Sequence, residues 1–329
     1  MIRTLWCTAT LALLAGCASA PTAPTNEPVT LRVNLFRGAS NIPVYMAMER
    51  GAYARRGITP VLQFTPNSDA QRTGLAAGRF EIAHAAIDNA VAMVEVAKED
   101  VIIVAGGDSG MNELFVRPEI ATLADMRGRN LLVDAPNTAY ALLARKILKN
   151  AGLADGKDYA LKPVGGTQGR AAALTTPEGG ASLLNPPWSY LAKRNGARSL
   201  GSTQALYGAY QATGTFVMRR WASANAGVLE RYLAAYIEGC RAAQDPTLRE
   251  QVLAVLQREL KLERAIAEMT YQDLLTPGHG LARDCAFDMK GFANVLALRA
   301  EIEGQWNGVP PAPDKYLDLG YYERARSRR

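Results

Sequence analysis

Polar and aromatic side chains recur directly after short apolar segments of this sequence. Amides, hydroxyls and a few aromatic rings are the groups that hold a small molecule by hydrogen bonds and ring contacts. Helices that begin at such points also offer unpaired backbone N–H groups, which favour an anionic or acceptor-rich part of a ligand. The pattern occurs in FRGASN (36–41), TPNSD (65–69), HAAIDN (84–89), DAPNT (134–138), GGTQGR (165–170) and NPPW (185–188). These residue types predict recognition of a small solute.

The side chains in and near these segments are the candidates for binding that solute. In open parallel sheets, ligands lie beyond the carboxyl ends of the strands, which is where these segments begin. The candidates are Phe36, Arg37, Ser40, Asn41, Asn67, His84, Asp88, Asn89, Asn137, Thr138, Tyr140, Thr167, Gln168, Asn185, Trp188 and Tyr210. Aromatic rings and amides outnumber charges among them, which favours a compact aromatic, heterocyclic or sulfonated solute over a bare inorganic anion.

Several candidates have an ordinary structural explanation as well. Asp88 is of a type that caps helices, and Arg37 could pair with a neighbouring carboxylate instead of a ligand carboxylate or sulfonate. His84 follows an apolar strand, as a hydrogen-bonded buried imidazole does. Tyr140 and Trp188 suit a packed core as well as a cleft. The sequence leaves both explanations open at each of these positions.

Common catalytic and cofactor motifs are missing from the sequence. No set of His, Cys, Asp and Glu has the spacing of metal ligands, and there is no G-x-S-x-G nucleophile motif. The segment GGTQG (165–169) lacks the G-x-G-x-x-G spacing and the Lys-Ser/Thr ending of phosphate loops. Cys240 and Cys285 either pair in an oxidising compartment or stay as buried thiols. We therefore expect no cofactor, no metal and no enzymatic activity.

Short apolar strands alternate with amphipathic helices along most of the chain. This alternation predicts parallel sheets covered by helices on both faces. A chain of 329 residues, 48% of them hydrophobic, is also too long for one compact core. The predicted strands are 30–36, 59–65, 80–86, 101–106, 113–117, 130–134, 159–164, 180–184 and 212–220, and four helices follow from 228 to 302. Because GGDSGMN (106–112) interrupts the series, the fold class is α/β with two lobes.

The N-terminal 20 residues have the layout of a secretory signal, with Arg3, an apolar run and then small residues. The segment LAGC (14–17) resembles the bacterial lipoprotein box, which implies that residues 1–17 are a signal peptide and that Cys17 carries lipid such as palmitate. Ordinary cleavage after Ala20 is the alternative. Residues 18–29 are rich in Pro, Thr and Ala and predict a flexible tether.

The charge distribution gives no support for a polyanionic partner. The formal net charge is +6, but it is spread along the chain without a long basic block. The basic tail ERARSRR (323–329) predicts a frayed, solvated end. We therefore expect no binding to nucleic acid.

Five stretches of the sequence form a recognisable series, which starts with a proline-led helix, a Gly-aromatic turn and a strand. They are PVYMAMERGAYARRGITPVL (43–62), GLAAGRFEIAHAAIDNA (74–90), ELFVRPEIATLADMRGRNLLVDAPNTAYALLARKIL (113–148), PVGGTQGRAAAL (163–174) and LLNPPWSYLAKRNGA (183–197). Together they resemble one family, the solute-binding proteins of ABC importers for nitrate, sulfonates, taurine and thiamine-pyrimidine precursors. The stretch 113–148 resembles the family's entry into its second lobe, and at Phe80-Glu81 the family more usually has Ile-Asp.

The resemblance implies a Venus-flytrap fold of type II, in which two α/β lobes close on a ligand held between them. Lobe 1 would comprise residues 30–108 and, with the C-terminal helices, 206–329, and lobe 2 residues 109–205. Hinges would lie at 106–110 and 203–210, where Gly106, Gly107 and Gly110 permit backbone rotation.

The same resemblance implies a carrier that is anchored by lipid in the periplasm and acts as a monomer. Its partners would be a small-molecule solute, an ABC permease and the ATPase of that permease. A pyrimidine synthase shares the fold and uses a histidine and a cysteine-rich iron-binding segment. Because this chain has two histidines and no cysteine cluster, the enzyme is the weaker alternative, and a ligand sensor is the other.

Overall fold

The structure is a computed structural model that describes residues 28–327. Ten strands in this part of the chain form two sheets. They are β1 (Val29–Leu35), β2 (Ile58–Phe64), β3 (Ile82–Ala86), β4 (Val101–Ala105), β5 (Glu113–Val116), β6 (Arg129–Val133), β7 (Tyr159–Pro163), β8 (Ala181–Leu184), β9 (Arg198–Ser202) and β10 (Thr213–Met218). Nine of them lie within two residues of the predicted strands, and β9 was not predicted.

The two sheets follow the same plan. The first has the order β2-β1-β3-β10-β4, and the second has the order β7-β6-β8-β5-β9. In the first sheet β10 is antiparallel to both neighbours, and in the second sheet β5 is antiparallel to both neighbours. The remaining pairs are parallel. The predicted α/β class with two lobes is confirmed.

Helices cover both faces of the sheets. They are α1 (Ile42–Glu49), α2 (Ser68–Ala76), α3 (Asp88–Glu95), α4 (Ala139–Asn150), α5 (Thr167–Leu174), α6 (Trp188–Arg194), α7 (Thr203–Leu206), α8 (Arg219–Ala224), α9 (Ala226–Gln244), α10 (Arg249–Leu260), α11 (Arg264–Leu275), α12 (Met289–Glu303) and α13 (Gly320–Ser327). Because of this cover, β4 and β8 are buried along their whole length. Among the described helices, none is both long and apolar enough to cross a membrane.

The chain passes between the sheets twice, after β4 and before β10, and Asp108 ties the two passages together. Its Oδ1 accepts a hydrogen bond from Gly110 N (2.6 Å), and its Oδ2 accepts one from Thr213 Oγ1 (2.6 Å). Burial raises the pKa of Asp108, and these two hydrogen bonds oppose the rise. A buried carboxylate therefore fixes the distance between the two passages.

The glycines of the first passage have different physical roles. Gly110 adopts φ +103°, a conformation that side chains disfavour. At Gly106 and Gly107 the requirement is space, because a Cβ there would collide with Ala286 O and lie 2.6 Å from Thr213 Oγ1, respectively. Close packing, in addition to backbone freedom, therefore explains this glycine-rich segment.

The C-terminal end packs against the first lobe. In α13, Tyr321, Tyr322 and Ala325 are buried in a cluster that also contains residues of α9. Arg324 Nε pairs with Glu230 of α9 at 2.6 Å. The prediction of a frayed, solvated tail is therefore wrong for residues 323–327, because the two tyrosines anchor the helix.

Cys240 of α9 and Cys285 form a disulfide, with their Cα atoms 6.0 Å apart. Both cysteines are buried, and the bond spans 45 residues of sequence, including α10 and α11. It thus links α9 to the segment that precedes α12.

Replacing both cysteines by alanine should lower the free energy of unfolding by about 2–4 kcal/mol, because the disulfide restricts a long loop of the unfolded chain. Denaturant unfolding with and without dithiothreitol measures this difference. The double variant is its own control, since reductant should leave it unchanged. A wild-type protein that is equally stable with and without reductant would contradict the prediction.

Candidate ligand-binding cleft

A cavity lies between the two sheets, and both lobes contribute to its wall. The cavity has a volume of about 80 Å³. The wall comprises Phe36, Arg37, Gly38, Ser40, Asn41, Ser68, His84, Ala85, Ala86, Asn89, Asp134, Thr138, Ala139, Tyr140, Gly166, Thr167, Arg170, Asn185, Thr213, Gly214 and Tyr236.

The wall is assembled where parallel strands end. In the first lobe it follows β1, β2 and β3, and in the second it follows β6, β7 and β8. The helices α4 and α5 begin at this wall, with Thr138 and Gly166 as their N-caps. The carboxyl ends of two sheets therefore face each other across one cavity, as the rule for open α/β sheets requires.

The structure brings ten of the sixteen sequence-predicted residues to the cavity. They are Phe36, Arg37, Ser40, Asn41, His84, Asn89, Thr138, Tyr140, Thr167 and Asn185. The other six, Asn67, Asp88, Asn137, Gln168, Trp188 and Tyr210, lie outside it.

Asp88 and Asn137 belong to a buried network behind the cavity. Asp88 Oδ1 lies 3.0 Å from Arg299 Nε, and both side chains are almost fully buried. Arg299 Nη2 donates to Asn137 O (3.3 Å), while Arg72 Nη1 donates to Asn137 Oδ1 (3.5 Å). Burial raises the pKa of Asp88, and the two guanidinium groups oppose the rise. These residues hold the loop after β6 from behind and do not line the cavity.

Two further candidates are structural. Asn67 caps α2, because its Oδ1 accepts a hydrogen bond from Ala70 N at 2.8 Å. Tyr210 is buried, and its ring meets the edge of Tyr207 with 6.2 Å between centroids. Neither side chain reaches the cavity.

Gln168 and Trp188 line a separate groove on the outer side of the cleft. The Trp188 indole N–H donates to Arg37 O across the two lobes at 2.9 Å. The preceding Pro186–Pro187 peptide bond is cis. Trp188 thus contacts the opposite lobe at the mouth of the cleft and lies outside the cavity.

The lobes make further direct hydrogen bonds around the cavity. Ala39 N donates to Pro186 O (3.4 Å), and Gly166 N donates to Pro66 O (3.0 Å). Inside the mouth, Ser68 N donates to Asp134 Oδ2 (3.0 Å). With the lobes bonded to each other around the cavity, the conformation is closed.

The sequence-based candidates omitted several residues of the wall. Tyr236 lies in the middle of the long helix α9, where its position indicated an ordinary core residue. Thr213 and Gly214 come from the antiparallel strand β10, to which the rule for parallel strands does not apply. Ser68 and Asp134 lie inside the predicted binding segments TPNSD (65–69) and DAPNT (134–138), respectively.

Arg170 is buried in the wall, and its hydrogen bonds are made to other groups of the protein. Its guanidinium donates to Gly165 O (2.8 Å), Thr167 Oγ1 (3.0 Å) and Ser182 Oγ (3.2 Å). Burial lowers its pKa, and Asp134 opposes this. Arg170 therefore shapes the loop that begins α5.

His84 is neutral in the folded protein. Its Nε2 lies 2.8 Å from Tyr232 Oη, and its Nδ1 lies 3.2 Å from Thr215 Oγ1. Burial lowers its pKa from 6.5 to about 3. Both ring nitrogens are engaged by the protein, so His84 presents mainly its ring face to the cavity.

The stability of the protein should fall in acid because of His84. Its pKa is lower in the folded than in the unfolded state, so the unfolded chain binds the proton first. The contribution is complete above pH 6.5 and declines as the pH falls towards 3. At pH 5 the expected loss is about 2 kcal/mol relative to pH 7.5.

Denaturant unfolding of wild type and His84→Gln at both pH values measures this effect. The variant should lose less stability between pH 7.5 and pH 5 than wild type, whatever its absolute stability. His279→Gln controls for the loss of an imidazole elsewhere. An identical pH dependence in wild type and His84→Gln would refute the assignment.

Solved structures share the fold. A protein from Bordetella bronchiseptica RB50 superposes with a TM-score of 0.78 at 16% identity, covering 91% of this chain and 97% of its own. The nitrate-binding protein NrtA from Synechocystis PCC 6803 gives 0.74 at 14% identity, with 91% and 88% covered. The alkanesulfonate-binding protein SsuA from Xanthomonas axonopodis pv. citri, bound to MOPS, gives 0.71 at 18% identity, with 90% and 98% covered. At these identities the likeness establishes a shared two-lobed fold.

Family membership rests on a comparison of sequences. No curated protein matches the chain. The model of a family described as the NMT1-like family, however, matches residues 24–257, which is well over half of the 329 residues. The match includes β1 to β10 and every segment of the cavity wall. The chain therefore belongs to the NMT1-like family.

Proposed function

We propose that this chain is the extracytoplasmic substrate-binding component of an ABC importer and captures a small organic solute between its lobes. The observation that carries the proposal is a cavity at the carboxyl ends of both sheets with a wall from both lobes. Such an arrangement binds a ligand most tightly when the lobes are closed, because contacts to the second lobe exist only then. The solute class is a sulfonate, an aromatic or a heterocyclic compound.

The names of similar structures support an import role. They include a nitrate-binding protein, an alkanesulfonate-binding protein and a ligand-binding component of an ABC-type import system from Staphylococcus aureus. The partners of this chain would be a permease and its ATPase, which recognise the closed form. We place the lobe boundaries between residues 108 and 109 and between 205 and 206, and expect a monomer.

An enzyme of this fold would need reactive groups in the cavity. His84 has both ring nitrogens engaged by Tyr232 and Thr215, which leaves it without a free site for proton transfer. Within residues 28–327 there is also no cluster of His, Cys, Asp and Glu that could hold a metal ion. These features favour a carrier. A sensor would use the same cavity, and a permease and an ATPase encoded beside the gene would distinguish the two.

Closure should contribute to affinity through Trp188. Trp188→Phe keeps an aromatic ring and removes the hydrogen bond to Arg37 O, which exists only when the lobes meet. We expect a loss of about 0.5–1.5 kcal/mol in binding, which is the net value of one hydrogen bond. Calorimetry measures it with a solute selected by thermal shift from sulfonates, aromatic acids and pyrimidines.

The matched control for this variant is Trp306→Phe. The Trp306 indole N–H donates to Glu95 Oε2 (3.0 Å), and this residue does not line the cavity. Small-angle scattering should show compaction of wild type with the selected solute. If no solute compacts the protein, the proposed function is wrong; if Trp188→Phe binds as tightly as wild type, only the role of Trp188 is wrong.

Lipid anchoring at Cys17 is part of the proposed function, although this residue lies outside the described part of the chain. Metabolic labelling with palmitate should mark the wild-type protein and leave Cys17→Ser unmarked, because the thioether-linked lipid requires that cysteine. Cys240→Ala is the control for loss of another cysteine and should be marked. Absence of label from wild type would favour simple cleavage after Ala20.

A further inference from the structure

Asp134 stands in the cavity wall with one carboxylate oxygen unused. It directly follows β6, and its Oδ2 accepts a hydrogen bond from Ser68 N of the opposite lobe at 3.0 Å. Its Oδ1 is buried and has no hydrogen-bond partner among the residues that the structure describes. A buried acceptor without a partner is unfavourable, so a donor on a bound solute is the group that suits this position.

The positive charges of the wall do not offer comparable hydrogen bonds to a solute. Four hydrogen bonds from the Arg170 guanidinium go to protein acceptors, which include Gly165 O and Leu183 O. The guanidinium of Arg37 is exposed and stacks on Phe64, with its central carbon 3.9 Å from the ring centre. Among the charged side chains of the cavity wall, Asp134 is thus the one with a buried oxygen that can still accept a hydrogen bond from a solute.

The neutral polar groups of the wall discriminate less than Asp134 between donor and acceptor groups on a solute. Asn185 carries both donors and an acceptor, so it suits either kind of solute group, whereas the amide of Asn41 donates to Phe36 O (2.5 Å). The starts of α4 and α5 accommodate an acceptor elsewhere on the same molecule. A carboxylate accepts only, and it repels the oxygens of a sulfonate, carboxylate or nitrate placed against it.

Aromatic side chains form another part of the wall. Phe36, Tyr140 and Tyr236 line the cavity together with the neutral ring of His84. Rings of this kind favour planar solutes and, when the solute is charged, cations over anions. These rings and the free carboxylate oxygen therefore select in the same direction.

We propose that Asp134 is the specificity-determining residue of this site and that it selects a compact, ring-containing solute that presents an N–H donor, either as an ammonium group or as a neutral amine. The inference rests on the proposed function, because it assigns the chemical class of the solute that the cavity would hold. It narrows the proposed solute class to aromatic and heterocyclic compounds that carry an amine, and it excludes nitrate and simple sulfonates.

Five ring-matched probes test the proposal at pH 7.5: benzylamine, aniline, toluene, benzoate and benzenesulfonate. Ligand-observed NMR titration of the full chain gives the affinity of each. At least one of the two amines should bind at least ten-fold more tightly than toluene and both anions. Comparison of benzylamine with aniline separates an ammonium group from a neutral amine as the preferred donor.

Asp134→Asn should reduce the affinity for the preferred amine at least ten-fold. It should also reduce the ratio of the affinity for that amine to the affinity for benzenesulfonate. Asp69→Asn is the matched control, since it removes a carboxylate from the first turn of α2, where that side chain is 71% exposed. This control should bind all five probes as wild type does. Selectivity of the wild-type chain needs no variant, so the test remains valid if Asp134→Asn folds poorly.

Benzoate or benzenesulfonate binding as tightly as the amines would overturn the proposal. So would an unchanged amine affinity in a folded Asp134→Asn, or the absence of binding by both amines. None of these outcomes bears on import itself, because compaction with any other solute would still support the proposed function. Lack of compaction with every solute would instead count against the proposed function.

Discussion

The hydrogen bonds of Asp108 join the two passages of chain on which both lobes depend. Each sheet is completed by an antiparallel strand next to a passage, β5 in the second sheet and β10 in the first. If the passages separated, the sheets would lose their common alignment and the cavity its opposite walls. Burying a carboxylate here is costly, and the donors Gly110 N and Thr213 Oγ1 offset that cost. A local polar contact thus controls the geometry of a site built from distant segments.

The general architecture followed from the sequence because it depends on repeated local patterns. Nine strands were located by runs of apolar residues, and α4 buries Leu142, Leu143 and Ile147, as expected of the amphipathic helices that alternate with those strands. The strand β9 was missed because RSLGS is polar and lies half-exposed at a sheet edge. The helix α13 was missed because many of its residues are charged or polar, although its two tyrosines pack against the first lobe.

The candidate site was predicted only in part, for a physical reason. Position after a strand identifies a loop near the cleft, but it does not show which side of that loop faces the ligand. Asp88 and Asn137 follow strands as expected, yet Arg299 of the distant helix α12 holds them away from the cavity. Tyr236 reaches the cavity from α9, far along the chain. Contacts of this kind depend on the packing of C-terminal helices that no local pattern encodes.

Closure depends mainly on backbone acceptors, and Asp134, whose Oδ2 accepts a hydrogen bond from Ser68 N, is the side chain that belongs both to closure and to the cavity wall. At the mouth of the cleft, the hydrogen bonds that join the lobes are accepted by the backbone carbonyls of Arg37, Pro66 and Pro186. A backbone carbonyl is present whatever the side chain of the residue. A constraint on residue type arises at Gly166, where a Cβ would lie 3.2 Å from the ring of Phe36 and 3.4 Å from Pro66 O. Inside the mouth, side chains decide what is bound. Side chains of the wall other than Asp134 can therefore change and alter the solute while the closing contacts to backbone carbonyls persist, which is one way in which one fold can serve carriers of different ligands.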